Sequence, residues 1–439
     1  MHKRYSQYKD LGIEWIGEIP AHWNLIKLKH IANIVTGTTP SMKENDNYST
    51  QGLMWVKPDN LKEFDPTNRT KAFLSDKGEQ AVRPIPRRMP LVCCIGDVGK
   101  FGFAEEKVAT NQQINAIVFR KDINIKFGLY LTAISSSEWK SLSNTNVIPI
   151  LNSSRQGLIV YAIPSREEQD SIVFFLDRKT LQIDELIYKK ERMIELLKEE
   201  RTAIINHAVT KGLDPDVEMK DSGIEWLGEI SKLWEVKKLK FNSSVRFSNV
   251  DKKSNEGELD VDLCNYTDVY YNDIITLKLD FMKATASVEE IRKFQLNIGD
   301  TIVTKDSESW DDIAVPAYVV ETKDNLLCGY HLAQIKPNTR VLSGKFLFWM
   351  LSGNAFNYQY KVESSGVTRY GLGNYALSNS FVVLPSIVEQ EKIVAYLDKK
   401  TVQIHDQINR EERSIELLKE YRTALISEVV TGKIDVRGE

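Results

Sequence analysis

The chain repeats itself, and this constrains its fold more than any local pattern does. Asp10-Leu-Gly-Ile-Glu-Trp-Ile-Gly-Glu-Ile19 returns as Asp221-Ser-Gly-Ile-Glu-Trp-Leu-Gly-Glu-Ile230, a shift of 211 residues. A longer echo carries Pro164-Ser165 through Asp214 onto Pro385-Ser386 through Asp435, a shift of 221, with roughly half the positions identical. A period this long implies a tandem duplication in which each copy builds one structural unit. The copies divide into 1–163, a diverged globular part, 164–212, a retained segment, 213–384, a second diverged part, and 385–439, the second retained segment.

The retained segments read as helices. Between Glu167 and Ala208 there is no Pro or Gly, and apolar residues recur at spacings of three and four: Leu176, Ile183, Ile187, Ile194, Leu197 and Ile204. The copy presents Leu397, Ile404, Ile408, Ile415, Leu418 and Leu425, and Gly212 and Gly432 supply the C-terminal stops. Some 40 residues make a rod of about 60 Å, too long to bury its apolar stripe on one small domain. On a seven-residue register the seam reads Leu176, Ile183, Lys190, Leu197, Ile204 in one helix and Leu397, Ile404, Glu411, Leu418, Leu425 in the other. That pattern predicts a coiled coil. In an antiparallel pair the midpoints meet, so Lys190 faces Glu411; the alternative is that both snorkel to solvent. Duplication with an antiparallel seam predicts a pseudo-twofold axis and a globular part at each end.

Composition narrows the class. Hydrophobic residues make up 42% of the 439 positions and charged ones 27%, which fits globular domains. No run approaches the roughly 18 apolar residues of a spanning helix. The charged amino terminus is unlike a signal peptide, so a cytoplasmic location is expected. Cys93, Cys94, Cys264 and Cys328 lack Cys-x-x-Cys spacing and read as reduced thiols. Charge is uneven: residues 1–163 carry 21 basic against 15 acidic side chains, net +6, whereas 213–384 carry 19 against 25, net −6. A basic first part suits a phosphate backbone; the acidic second would have to gather its Lys and Arg on one face.

The diverged parts read as mixed α/β. Gly157–Ile163, Asp300–Thr304 and Ser380–Leu384 look like strands, Lys126–Ile134 and Gly344–Leu351 like short helices. Catalytic signals are scarce. Gly96-Asp-Val-Gly-Lys-Phe-Gly102 and Gly371-Leu-Gly373 lack the strand–glycine–helix order of a phosphate cradle and read as turns. His2, His22, His30, His207, His331 and His405 show no paired ligand spacing. Asp306, Glu308, Asp311 and Asp312 beside Lys305 suggest either a metal-dependent nuclease or a solvated loop. The matching stretch Ile95–Lys100 lacks the cluster and favours the loop.

Taken together, these motifs resemble the specificity subunits of type I restriction-modification systems. The resemblance rests on the two Gly-Ile-Glu-Trp openings, on Pro-Ser followed by Glu168-Gln169 or Glu389-Gln390, and on Ile172-Val173 to Leu176-Asp177 with its copy Ile393-Val394 to Leu397-Asp398. It extends to Leu-Leu-Lys-Glu-x-Arg-Thr-Ala at 196–203 and 417–424. Thr36-Gly-Thr-Thr-Pro-Ser41, Asn111-Gln112-Gln113 and Ser364–Leu372 are similar to loop motifs of the family's recognition domains. The resemblance implies two small α/β target recognition domains related by pseudo-twofold symmetry, separated by two long helices forming an antiparallel coiled coil. It also implies a non-catalytic subunit of which each domain reads one half of a split double-stranded DNA target. The helices would set the gap and dock two methyltransferase subunits, which bring S-adenosylmethionine, while restriction subunits complete the complex. No cofactor is expected in this chain.

Base reading requires side chains that offer paired donors and acceptors, while hydroxyls and lysines position phosphates. The residues to watch in the first domain are Thr38, Thr39, Ser41, Lys43, Lys57, Asn111, Gln112 and Ser154. In the second they are Lys305, Ser307, Ser309, Tyr330, His331, Thr368 and Arg369; the alternative for each is a loop residue that only caps or turns. The 221-residue shift sets Ile148 opposite Arg369, a place where the domains would read differently. Trp15 and Trp226, in the repeated openings, are expected to pack rather than to stack on bases. A self-contained methyltransferase or nuclease is the rival reading, and a purely structural coiled-coil adaptor a third.

Overall fold

The computed structural model describes residues 3–144 and 148–438. The fold is mixed α/β in two units, one formed by residues up to Lys190 together with those from Arg413 onward, the other by Glu191–Glu412. The retained segments are continuous helices, Arg166–Lys211 (46 residues) and Ile387–Val430 (44 residues). At 1.5 Å per residue each is roughly 65–70 Å long. Both stop before a glycine in the left-handed region, Gly212 at φ +83° and Gly432 at φ +77°, a conformation that a Cβ would disfavour. No helix among the described residues is long and apolar enough to cross a membrane.

Within each unit the two long helices run antiparallel. In the first unit Arg422 Nη1 donates to Asp184 Oδ1 at 2.6 Å and Arg437 lies 3.9 Å from Glu168, so rising numbers on one helix meet falling numbers on the other. In the second, Glu200 and Ile204 line a cavity with Gln403 and Ile404, while Gly212 neighbours Glu389. Leu176, Ile183, Ile187, Ile415 and Leu425 are buried in the first unit, and Ile194, Leu197, Leu397 and Ile404 in the second. Ile204, Ile408, Leu418, Lys190 and Glu411 are half-buried. Burying a Leu or Ile side chain contributes about 1.5–3 kcal/mol, so the stripe is a strong packing element. It does not serve the helix pair alone: Ile205, Ala208, Val209, Ile393 and Leu397 join Phe346, Leu347, Trp349 and Met350 in one core of the second unit.

Each globular part is built on a sheet of the same order. In the first unit Ala32–Thr36, Ile114–Phe119, Leu91–Cys93 and Phe101–Gly102 lie side by side. In the second, Ser243–Phe247, Leu332–Pro337, Thr301–Thr304, Pro316–Val319 and Ile274–Ile275 do so. The registers match: Asn115 faces Thr36 and Val92, as Ala333 faces Phe247 and Val303. The inner strands Leu91–Cys93 and Thr301–Thr304 are buried at every position, so their apolar runs have both faces covered. The short helices Ile125–Ile134 and Gly344–Ser352 occupy the stretches where helical spacing predicts them.

The retained polar residues join the short helices Ile125–Ile134 and Gly344–Ser352 to the long helices. Gln169, at the start of the central helix, accepts from the Asn124 amide at 2.8 Å and donates to the Pro164 and Asp122 carbonyls. Gln390 repeats this with the Ser343 amide (2.8 Å) and the Val341 and Pro385 carbonyls (2.9 Å each). Asp177 accepts from Lys126 and the Tyr130 hydroxyl; Asp398 accepts from Lys345 and the Trp349 indole. The openings close the same joints. Trp15 packs edge-on against Tyr161 and Trp226 against Phe356, as expected of packing residues. The fully buried Trp23 lies against Gly432, and Trp234 lies against Gly212 while donating to Glu389 at 3.0 Å.

Candidate nucleic-acid interface

In the first unit three loops meet beyond the sheet. Gly37 donates its amide to the Ile114 carbonyl and Thr38 to that of Thr110, both at 2.9 Å, while the Asn111 amide reaches the Val56 carbonyl at 3.2 Å. A Cβ at Gly37 would sit 2.1 Å from the Asn111 carbonyl oxygen, so only glycine allows the loops this close. Thr39 bonds to the Gln112 carboxamide across the junction. Lys57 lies over the Trp55 ring at 4.6 Å, leaving its ammonium exposed. Thr38, Thr39, Gln112 and Lys57 therefore share one rim. Asn111 does not present its amide: it is buried and bonded to Gln113, which makes it a loop brace. Ser41 and Lys43 are exposed on the following turn, where the Ser41 carbonyl accepts from Asn47 at 3.1 Å. Ser154 is exposed on the helix Ser153–Gln156.

The second unit places Lys305, Ser307, Tyr330, His331, Thr368 and Arg369 around the junction of Asp306–Ser307 with Tyr370–Gly371, which pair antiparallel. Lys305 Nζ donates to the Ser248 carbonyl at 3.0 Å and sits over the rings of Tyr330 (4.6 Å) and Phe247 (5.6 Å). Burial holds its pKa below the usual lysine value, opposed by Asp306. His331 Nδ1 lies 2.7 Å from Asp306 Oδ2, and its ring meets Tyr330 edge-on at 4.7 Å. Ser307 is buried and accepts from the Ser309 amide; Ser309 in turn bonds to Asp311. Tyr330, Thr368 and Arg369 face solvent. Ala314, buried beside this loop, holds φ +57°, a strained value for a residue with a Cβ.

The acidic cluster is divided among separate partners: Asp306 faces His331, Asp311 takes Ser309 and Asp312 accepts from the Tyr270 hydroxyl at 2.6 Å. That bond pushes the Tyr270 pKa up to about 12. Among the described residues no three His, Cys, Asp or Glu side chains are grouped to hold a metal ion. His22 contacts Glu168 at 3.0 Å, while His30, His207 and His405 are exposed; His2 lies outside the described residues. All four cysteines are buried and unpaired, and burial raises each thiol pKa, that of Cys94 to about 12.

The two junctions share one backbone frame. Cys94 donates its amide to Gln113 and accepts from Leu151, both at 2.8 Å. Lys305 does the same with His331 (3.0 Å) and Leu372 (2.8 Å). The Gly37 amide reaches Ile114 as that of Ser248 reaches Leu332. Cys94, Gln112, Gln113 and Ile148 of the first domain thus correspond to Lys305, Tyr330, His331 and Arg369 of the second. Sequence reading missed Trp55, Phe247 and the pair Tyr266–Tyr270, whose rings stack at 5.3 Å. The i,i+4 spacing of those tyrosines was a usable signal.

Residues 20–196 match the family model described as the type I restriction modification DNA specificity domain. The type I restriction enzyme MjaIX specificity subunit of Methanocaldococcus jannaschii is 23% identical over 432 residues, covering 96% of this chain and 95% of that one. The HindI specificity subunit of Haemophilus influenzae is 29% identical over 173 residues, 38% of this chain and 36% of its own. Among solved structures, a chain from a study of complex assembly and conformational transition of the type I R-M system matches at TM-score 0.70 and 13% identity, covering 95% of this chain and 99% of that chain. The HsdS subunit from Thermoanaerobacter tengcongensis matches at TM-score 0.54 and 14% identity, over 95% and 98% of the two chains. With its duplicated order and its paired helices, the chain is similar over nearly its whole length to the specificity subunits of type I restriction-modification systems.

Proposed function

We propose that this chain gives a type I restriction-modification complex its DNA sequence specificity, each globular part reading one half of a split target and the long helices fixing the gap between the halves. The observation that carries this reading is the matched frame with unmatched side chains. Matching backbone bonds hold Cys94 and Gln113 in one domain and Lys305 and His331 in the other, as expected where two dissimilar sequences are read from one scaffold. The chain is the recognition component; catalysis belongs to its partners, two methyltransferase subunits that bring S-adenosylmethionine and the restriction subunits that join them. It works where the DNA lies, in the cytoplasm. Phe174, Leu181 and Tyr188, one heptad apart on the central helix and all mostly exposed, supply an apolar stripe for a methyltransferase subunit.

The test is selection from a random duplex pool by the chain assembled with its methyltransferase subunits. A split motif with a constant gap is expected. Four residues inserted into each long helix add about 6 Å, so the preferred gap should widen by one to two base pairs of 3.4 Å. Selection of no motif would overturn the reading; cutting or methylation by the chain alone would favour a self-contained enzyme.

A further inference from the structure

We propose that Arg369 is a base-reading residue of the second domain and that the half-site read there contains a guanine at the position it meets. The inference rests on the DNA-reading function proposed above and names the base chemistry of one half.

The cations of this junction are not equivalent. Lys305 is half-buried, its ammonium engaged by the Ser248 carbonyl and enclosed by the Phe247 and Tyr330 rings, so it holds Tyr330 in place and has no free donor fork to offer. His331 is turned onto Asp306. Arg369, by contrast, is exposed and makes no ion pair among the described residues. Its charge still acts on the junction: burial raises the Tyr266 pKa, and Arg369 opposes that rise.

The backbone beneath Arg369 is firmly placed. Ser365 and Gly371 exchange amide–carbonyl bonds at 2.9 and 3.1 Å, and Asp306–Ser307 pair with Tyr370–Gly371. A Cβ at Gly366 would lie 1.9 Å from the Arg369 carbonyl oxygen, so the loop closes on itself only because residue 366 is glycine. A planar guanidinium on an anchored loop can bond the O6 and N7 edge of guanine at two points, the commonest specific contact of the major groove. In the first domain the matched position is Ile148, whose side chain has no donor, and the corresponding rim carries Thr38, Thr39, Lys57 and the Gln112 carboxamide but no guanidinium. A guanine preference from this contact is therefore confined to the second half-site.

The experiment is selection from the random duplex pool with the full chain and its methyltransferase subunits, comparing the wild type with Arg369→Ala and Arg369→Gln. The wild type is expected to enrich a guanine at one position of the second half-site. Arg369→Ala should flatten that position, losing roughly 5- to 150-fold of discrimination, with the first half-site and the gap unchanged. Arg369→Gln should move the preference toward adenine, which a carboxamide bonds at two points. The other positions of the second half-site, still enriched in both variants, show that the substituted domain is folded. A split motif that survives Arg369→Ala intact, or a second half-site without guanine, overturns this inference and leaves the specificity reading standing. No split motif from the wild type overturns both.

Discussion

Replacing Gln390 with alanine is the sharpest test of how the retained segments work. The side chain is fully buried and satisfies three backbone groups at once, the Ser343 amide and the Val341 and Pro385 carbonyls, all at 2.8–2.9 Å. Leaving a buried polar group without its partner costs about 1–3 kcal/mol. Three such groups, less what local relaxation and water recover, come to about 3–5 kcal/mol. For a unit of this size each kcal/mol moves Tm by about 2–4 °C, so the transition of the second unit should fall by about 6–20 °C in a calorimetric scan of the full chain. Gln169→Ala should have a smaller effect on the first unit, because two of its bonds are longer, 3.2 and 3.4 Å. Gln390→Glu should resemble the alanine variant, since an oxygen then faces two carbonyl oxygens. A Tm shift under about 2 °C for Gln390→Ala would refute the view that this glutamine clamps helix to domain. It would return the retention of the motif to partner binding alone.

Two further outcomes are expected. Asp435 is held below the usual aspartate range first by its hydrogen bond from Arg437, and its folded-state pKa is therefore lower than its unfolded value of about 3.9. That contribution is complete above about pH 4 and is lost as pH falls through the depressed value, so the stability difference between the wild type and Arg437→Ala should be full at neutral pH and shrink in acid, as urea melts at several pH values will show. Changing Phe174, Leu181 and Tyr188 together to alanine removes mostly exposed apolar surface; Tm should move by no more than a degree or two, while co-purification of the methyltransferase subunit should fall at least tenfold. Unchanged co-purification would place the partner elsewhere.

The long helices were legible because their signal is redundant: more than forty residues without Pro or Gly, a seam repeated in both copies, and a glycine stop on each. The domain strands were legible where β-branched residues run together, as at Thr301–Thr304. The role of the retained Glu-Gln and Leu-Asp motifs was not. Duplication predicts that they matter, but only coordinates place Gln169 against Asn124 or Asp398 against Trp349, contacts that span 45 and 49 residues. The site was partly legible. Thr38, Thr39, Gln112 and Lys57 converge, yet Asn111, chosen for its amide, faces inward to Gln113 because the loop needs that bond more than solvent does. Aromatic supports such as Trp55 and Phe247 are not legible in the sequence, because an aromatic beneath a lysine looks there like any core residue.

The Asp435 amide donates to the Lys3 carbonyl at 2.8 Å, and the first unit needs residues from Arg413 onward to be complete. A ribosome adding about 5–20 residues per second leaves the early part of that unit waiting on the order of 10–50 s for its missing strip of helix. The second unit is contiguous and carries no such delay, so it matures first although it is synthesised later. Until residues from Arg413 onward emerge, the basic amino-terminal domain lacks Ile415 and Leu425, and the stripe of Leu176, Ile183 and Ile187 is without its cover.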